Sequence, residues 1–204
     1  MLTLDPAHDA AALLLPPSCD SRPGVYEEEV YGGPSALWFS PSGKHLAFLA
    51  FNESRVPTFT YPVYDPEHEG GARPYPKVET IAYPKPGYAN PTVEAYVFSL
   101  ADHFGSSSRP EEAALSTSVR QLSWPNRRKP EDEVVFEVAW VGPTELLVRS
   151  SDRSAAEGNV VRFDVAAGGR TAPNSSKLAG LEGKVVRTLS GGDGWLEHVR
   201  RKLA

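Results

Sequence analysis

The 204-residue sequence is short of several things. It has a single cysteine, Cys19, which excludes an intrachain disulfide and any zinc site built on several thiolates. No apolar run approaches the ~20 residues that a membrane-spanning helix needs. Leu13-Leu14-Leu15 closes a short apolar patch, but Asp5, His8 and Asp9 precede it, so it does not read as a signal peptide. Gly-x-Ser-x-Gly occurs nowhere, so the chain carries no nucleophile elbow of the α/β-hydrolase type. His8, His45, His68, His103 and His198 never fall at helix or hairpin ligand spacing, so no metal and no cofactor is expected. Net charge is -5, and the one compact basic cluster, Arg127-Arg128-Lys129, runs into Glu131-Asp132-Glu133. A nucleic-acid partner is therefore not expected.

Proline and glycine are plentiful, at 19 and 17, and break the chain too often for long helices. Short strands joined by turns fit better. Ala36–Ser40 and His45–Phe51 are nearly unbroken apolar runs around Pro41-Ser42-Gly43-Lys44, which predicts a hairpin covered on both faces. Val78–Ala82, Thr92–Leu100, Val134–Val141, Glu145–Ser150, Asn159–Val165 and Lys184–Leu189 read as further strands. Proline confines the segment 56–91 to strand ends and sheet edges, and Tyr75-Pro76-Lys77 recurs there as Tyr83-Pro84-Lys85. Two units of about 36–100 and 134–190 each begin with a strand bearing a tryptophan, followed by a proline-bearing turn. Such self-similarity predicts an all-β chain with about two four-stranded propeller blades. A polar loop is expected over 101–132, a loosely ordered leader over 1–24, and a tail over 200–204.

Val25-Tyr26-Glu27-Glu28-Glu29-Val30-Tyr31 sets three adjacent carboxylates between apolar and aromatic residues. Neighbouring acids repel and are costly to hold in a partly dry site unless a cation joins them. A peptide's α-ammonium is such a cation, with three N–H donors. The same triplet also suits a solvated first helical turn, where acids complement the helix dipole.

Taken together, Val25–Tyr31, Ala36–Lys44, Tyr75-Pro76-Lys77, Tyr83–Gly87 and Asn90-Pro91-Thr92-Val93 resemble the dipeptidyl peptidase IV family, most of all its fungal dipeptidyl aminopeptidases. These are serine exopeptidases of the prolyl oligopeptidase clan. The likeness is dense over about 25–100 and looser through Glu137–Val141 and Gly194–His198. It departs at Pro23-Gly24, where the family usually has Asp-Trp. The resemblance implies a propeller over 25–199, seated in the parent enzyme over an α/β-hydrolase domain, with a short acidic helical turn before the first blade. It implies that Glu28 and Glu29 grip the substrate's N-terminal ammonium, with Glu27 supporting. It also implies a vacuolar-membrane or secreted parent, and in either case Asn52 and Asn174, each in an Asn-x-Ser sequon, are candidate N-glycan acceptors.

The implied partners are a peptide N-terminus and the remaining blades and hydrolase domain of the parent. The sequence thus reads as a truncated form, with no catalytic residue and no peptidase activity of its own. A non-catalytic propeller serving protein interaction, or a truncated gene product, is the alternative reading.

Overall fold

The computed structural model describes residues 30–31, 35–64, 75–104, 118–167 and 179–196. Strands follow in the order β1 (Leu37–Phe39), β2 (His45–Asn52), β3 (Thr58–Val63), β4 (Lys77–Ala82) and β5 (Thr92–Ser99). After the short helix α1 (Leu100–Phe104) come β6 (Val119–Ser123), β7 (Glu133–Trp140), β8 (Glu145–Asp152), β9 (Glu157–Asp164), β10 (Ala179–Glu182) and β11 (Lys184–Ser190).

Two sheets carry the fold. The first has the order β1-β2-β5-β6-β10, the second β11-β9-β8-β7, and β3-β4 form a separate two-stranded ribbon. Each sheet holds a four-stranded antiparallel meander, and β10 adds to the first as a parallel edge strand. The architecture is the all-β, partial-propeller arrangement expected from the sequence.

Strand alternation explains the core. On β2, Ala47 and Leu49 face the second sheet, while Leu46 and Phe48 turn to the opposite face and pack with Phe98 and Val119. Val135, Leu146, Val148, Val161 and Phe163 meet Ala47 and Leu49 from the second sheet, and all five are fully buried. Each such side chain contributes about 1.5–3 kcal/mol on leaving water, so this inter-sheet layer holds the two blades together.

The β1–β2 hairpin forms as expected. Gly43 takes a left-handed φ of 65°, its N–H donates to the Ser40 carbonyl, and the Ser40 N–H donates to the His45 carbonyl. The fourth strand of the first blade differs from the expectation. Val78–Ala82 is a strand but pairs with β3, outside the blade. The blade is completed instead by β6, inside the stretch read as a polar loop. Its sequence, Val-Arg-Gln-Leu-Ser, buries only Val119 and Leu122, so the apolar signal is two residues long. Arg120 anchors it across the structure, donating to the carbonyls of Val165 at 2.6 Å and Ala167 at 3.1 Å.

Gly183 makes the crossover from β10 to β11. Its N–H donates to the Ser123 carbonyl at 2.7 Å, and a Cβ here would lie 2.5 Å from the Phe163 ring. Only glycine lets the chain pass that close to the core.

Candidate functional site

The acidic triplet Glu27, Glu28 and Glu29 lies outside the described residues, as does Asn174. The two residues that follow the triplet, Val30 and Tyr31, are described and have a π-helical backbone. Tyr31 is wedged into the joint between the sheets. Its ring meets Trp38 edge-on at 5.7 Å and Phe51 at 6.4 Å, both from the first sheet. Its hydroxyl donates to the Val135 carbonyl on β7 of the second sheet. A tyrosine uses its apolar body and polar tip together here, so both blades fix one residue.

The same end of the sheets holds a buried ion pair. Phe51 pairs in register with Val93, and the Val93 carbonyl accepts from Arg127 Nη2 at 2.6 Å. Arg127 Nε donates to Glu133 Oε2 at 2.5 Å, and its guanidinium lies 4.7 Å from the centre of the Trp124 ring. The Glu133 side chain is 1% exposed. Burial pushes its carboxyl above the usual carboxylate range, and the Arg127 hydrogen bond and charge oppose that shift without cancelling it. Arg127 therefore bridges β5 of the first blade to β7 of the second, two residues from the carbonyl that Tyr31 holds. In the sequence, Arg127-Arg128-Lys129 is balanced by Glu131-Asp132-Glu133. Within the structure only Arg127 pairs in that way, whereas Arg128 pairs with Glu157 at 3.2 Å. The adjacency of bases and acids in sequence gave no sign that one pair would be buried.

The two described histidines have structural surroundings. His45 stacks on Trp140 with centroids 6.2 Å apart, and burial, then the nearby Arg120 charge, lowers its pKa. His103 contacts Phe98 and Phe104. Among the described residues, no three acids, histidines or cysteines gather as metal ligands would. Asn52 is exposed at the end of β2, and its Oδ1 accepts the Ser54 N–H at 2.9 Å.

Two four-stranded meanders packed face to face, each opening on a tryptophan-bearing strand, define the class as a propeller-type all-β chain. Residues 24–197 match the family described as "Dipeptidyl peptidase IV (DPP IV) N-terminal region", and the chain belongs to that family. "Dipeptidyl peptidase 4" of Arthroderma otae is 34% identical over 178 residues, which cover 86% of this chain and 19% of that protein. "Probable dipeptidyl peptidase 4" of Emericella nidulans is 36% identical over 177 residues, with the same coverage of 86% and 19%. The chain thus spans about a fifth of the length of these relatives. The crystal structure of Porphyromonas gingivalis dipeptidyl peptidase 4 shares the fold, with a TM-score of 0.55 at 23% identity over 72% of this chain and 18% of that one.

Proposed function

We propose that this chain is a substrate-recognition propeller portion of a dipeptidyl peptidase IV-like serine exopeptidase, acting in the release of N-terminal dipeptides. Glu28 and Glu29 take the peptide's α-ammonium as charge-assisted hydrogen bonds, and Glu27 supports them. The observation that carries this reading is the seating of Tyr31. The residue two places after Glu29 is fixed by Trp38, Phe51 and the Val135 carbonyl, so the chain is anchored at the joint between two blades at Tyr31, just beyond the acidic run in sequence. A fixed point of that kind suits a ruler: anchoring the charged amine far from the scissile bond turns binding energy into orientation of the reacting carbonyl.

The chemistry of bond cleavage belongs to a different part of the parent enzyme on this reading, since the 204 residues contain no Gly-x-Ser-x-Gly. Two measurements on the purified chain test the proposal. A Gly-Pro chromogenic amide should not be turned over above the blank. A dipeptide amide with a free amine should bind, and its N-acetyl form should not. Turnover would place a nucleophile within this chain, and equal binding of both ligands would remove the ammonium grip.

A further inference from the structure

Tyr31 and Arg127 span the same gap between the two blades. The Tyr31 ring lies 6.4 Å from Phe51 on β2, and its hydroxyl donates to the Val135 carbonyl on β7. Arg127 makes a second span beside it. Its Nη2 donates at 2.6 Å to the carbonyl of Val93, the register partner of Phe51. Its Nε donates at 2.5 Å to Glu133, two residues before Val135 on β7. The two spans therefore end on adjoining positions in both sheets.

The Arg127 span is the more rigidly held. The guanidinium has an acceptor at each of two edges, and its face lies 4.7 Å from the centre of the buried Trp124 ring. Trp124 in turn meets Phe163 of β9 edge-on at 6.0 Å. Asn126, immediately before Arg127, turns the loop through a left-handed φ of 59°, a conformation that asparagine adopts more readily than most residues. The strand that Tyr31 holds is, by contrast, weakly fixed by its own ladder. β7 is an edge strand, and its register with β8 shifts between Val135 and Glu137. Such a bulge interrupts the ladder and bends the strand. The ladder alone thus leaves the Val135 carbonyl poorly placed, and the Arg127–Glu133 pair fixes the strand just before the bulge.

We propose that Arg127 is a positioning residue for the grip on the peptide ammonium, an inference that rests on the reading of Glu28 and Glu29 given above. The Arg127 span sets the separation of Phe51 from the Val135 carbonyl. That separation seats Tyr31, and Tyr31 anchors the chain just beyond the acidic run. Lysine at this position would keep a positive charge beside Glu133, but one ammonium does not reproduce the fixed fork of a guanidinium on two acceptors. Neutralising Glu133 and positioning Tyr31 are therefore separable by substitution.

Titration calorimetry of the whole chain with Gly-Pro amide and its N-acetyl derivative reads the preference for a free amine. Arg127→Lys should lower that preference about tenfold, because small displacements of an orienting group are costly. Tyr31→Phe, which keeps the ring and removes the hold on Val135, should lower it as well, and it serves where Arg127→Lys does not fold. Circular dichroism melts show whether each variant is folded. Val161→Ala is the control. It opens a cavity in the buried core on β9, two strands from β7, and should keep the preference despite its stability cost. A preference that survives Arg127→Lys, or that falls equally in Val161→Ala, would overturn the assignment. A second readout needs no ligand. In chain labelled with 3-fluorotyrosine, the Tyr31 fluorine signal, identified by its loss in Tyr31→Phe, should broaden or shift in Arg127→Lys and not in Val161→Ala. An unchanged Tyr31 signal in Arg127→Lys would overturn the positioning role. A disturbed signal in a chain whose wild type shows no preference for the free amine would overturn the ammonium reading and leave Arg127 as the seat of Tyr31 alone.

Discussion

The indole Nε1 of Trp140 donates to the backbone carbonyl of Trp38 at 2.8 Å. Each tryptophan lies on the first strand of its blade, shortly before the proline-bearing turn, so corresponding positions of a degenerate repeat are tied directly together. The turns beyond them touch as well, with Ser42 Oγ donating to the Pro143 carbonyl at 3.3 Å. Trp140→Phe keeps most of the ring's packing and removes the donor, while the Trp38 carbonyl keeps its place opposite Ala47 in the β1–β2 ladder. The expected loss is about 0.5–1.5 kcal/mol in urea unfolding, the usual net contribution of one hydrogen bond. A variant as stable as the wild type would show that the inter-blade bond contributes nothing.

Gly183→Ala tests the crossover. The added methyl would meet Phe163 and Val161 at about 2.5 Å, well inside contact distance. Overpacking of this kind costs about 1–3 kcal/mol. Adding Phe163→Leu should recover part of that loss, so the double variant should lie above the sum of the two single effects.

Glu133 predicts a pH dependence with a definite sign. Its folded pKa is raised, chiefly by burial, above the unfolded value of about 4.3. The stability it contributes is therefore complete below that unfolded value and is lost as pH rises through the folded pKa. Glu133→Gln removes the titration. Urea unfolding at several pH values from 4 upward should show the stability of the wild type relative to Glu133→Gln falling as pH rises. A relative stability that climbs with pH would mean that Arg127 outweighs burial.

Arg127→Met should be far worse than a surface substitution. It strips a charge partner from a carboxylate that is 1% exposed and a donor from the Val93 carbonyl. At pH 7 the cost should be about 3 kcal/mol or more, because an uncompensated buried charge remains. Arg127→Met with Glu133→Leu should cost less than Arg127→Met alone. If the double variant is the less stable, the ion pair is not what holds this loop.

The strands that announced themselves in the sequence are those whose own residues carry the signal. His45–Asn52 is apolar along most of its length, and Pro41-Ser42-Gly43 punctuates the turn before it. Those that did not are defined by neighbours. Ala179–Glu182 has no β-branched residue and exists as a strand through its parallel pairing with Val119–Ser123. Val119–Ser123 in turn depends on where Arg120 finds two carbonyls more than forty residues away. The ribbon shows the opposite error. Val78–Ala82 looks like a blade strand, and no local feature reveals that Thr58–Val63 is its partner. The anchoring role of Tyr31 was not legible either. Tyr31 resembles any aromatic after a charged run until Trp38, Phe51 and Val135 close around it.

Replacing the acids one at a time addresses the central claim most directly. Calorimetric affinities for a Gly-Pro amide and its N-acetyl derivative should be compared in the wild type, Glu28→Gln and Glu29→Gln, with folding checked by circular dichroism. The account predicts that the wild type prefers the free amine and that either substitution abolishes the preference while the fold persists. A preference that survives both substitutions would contradict it.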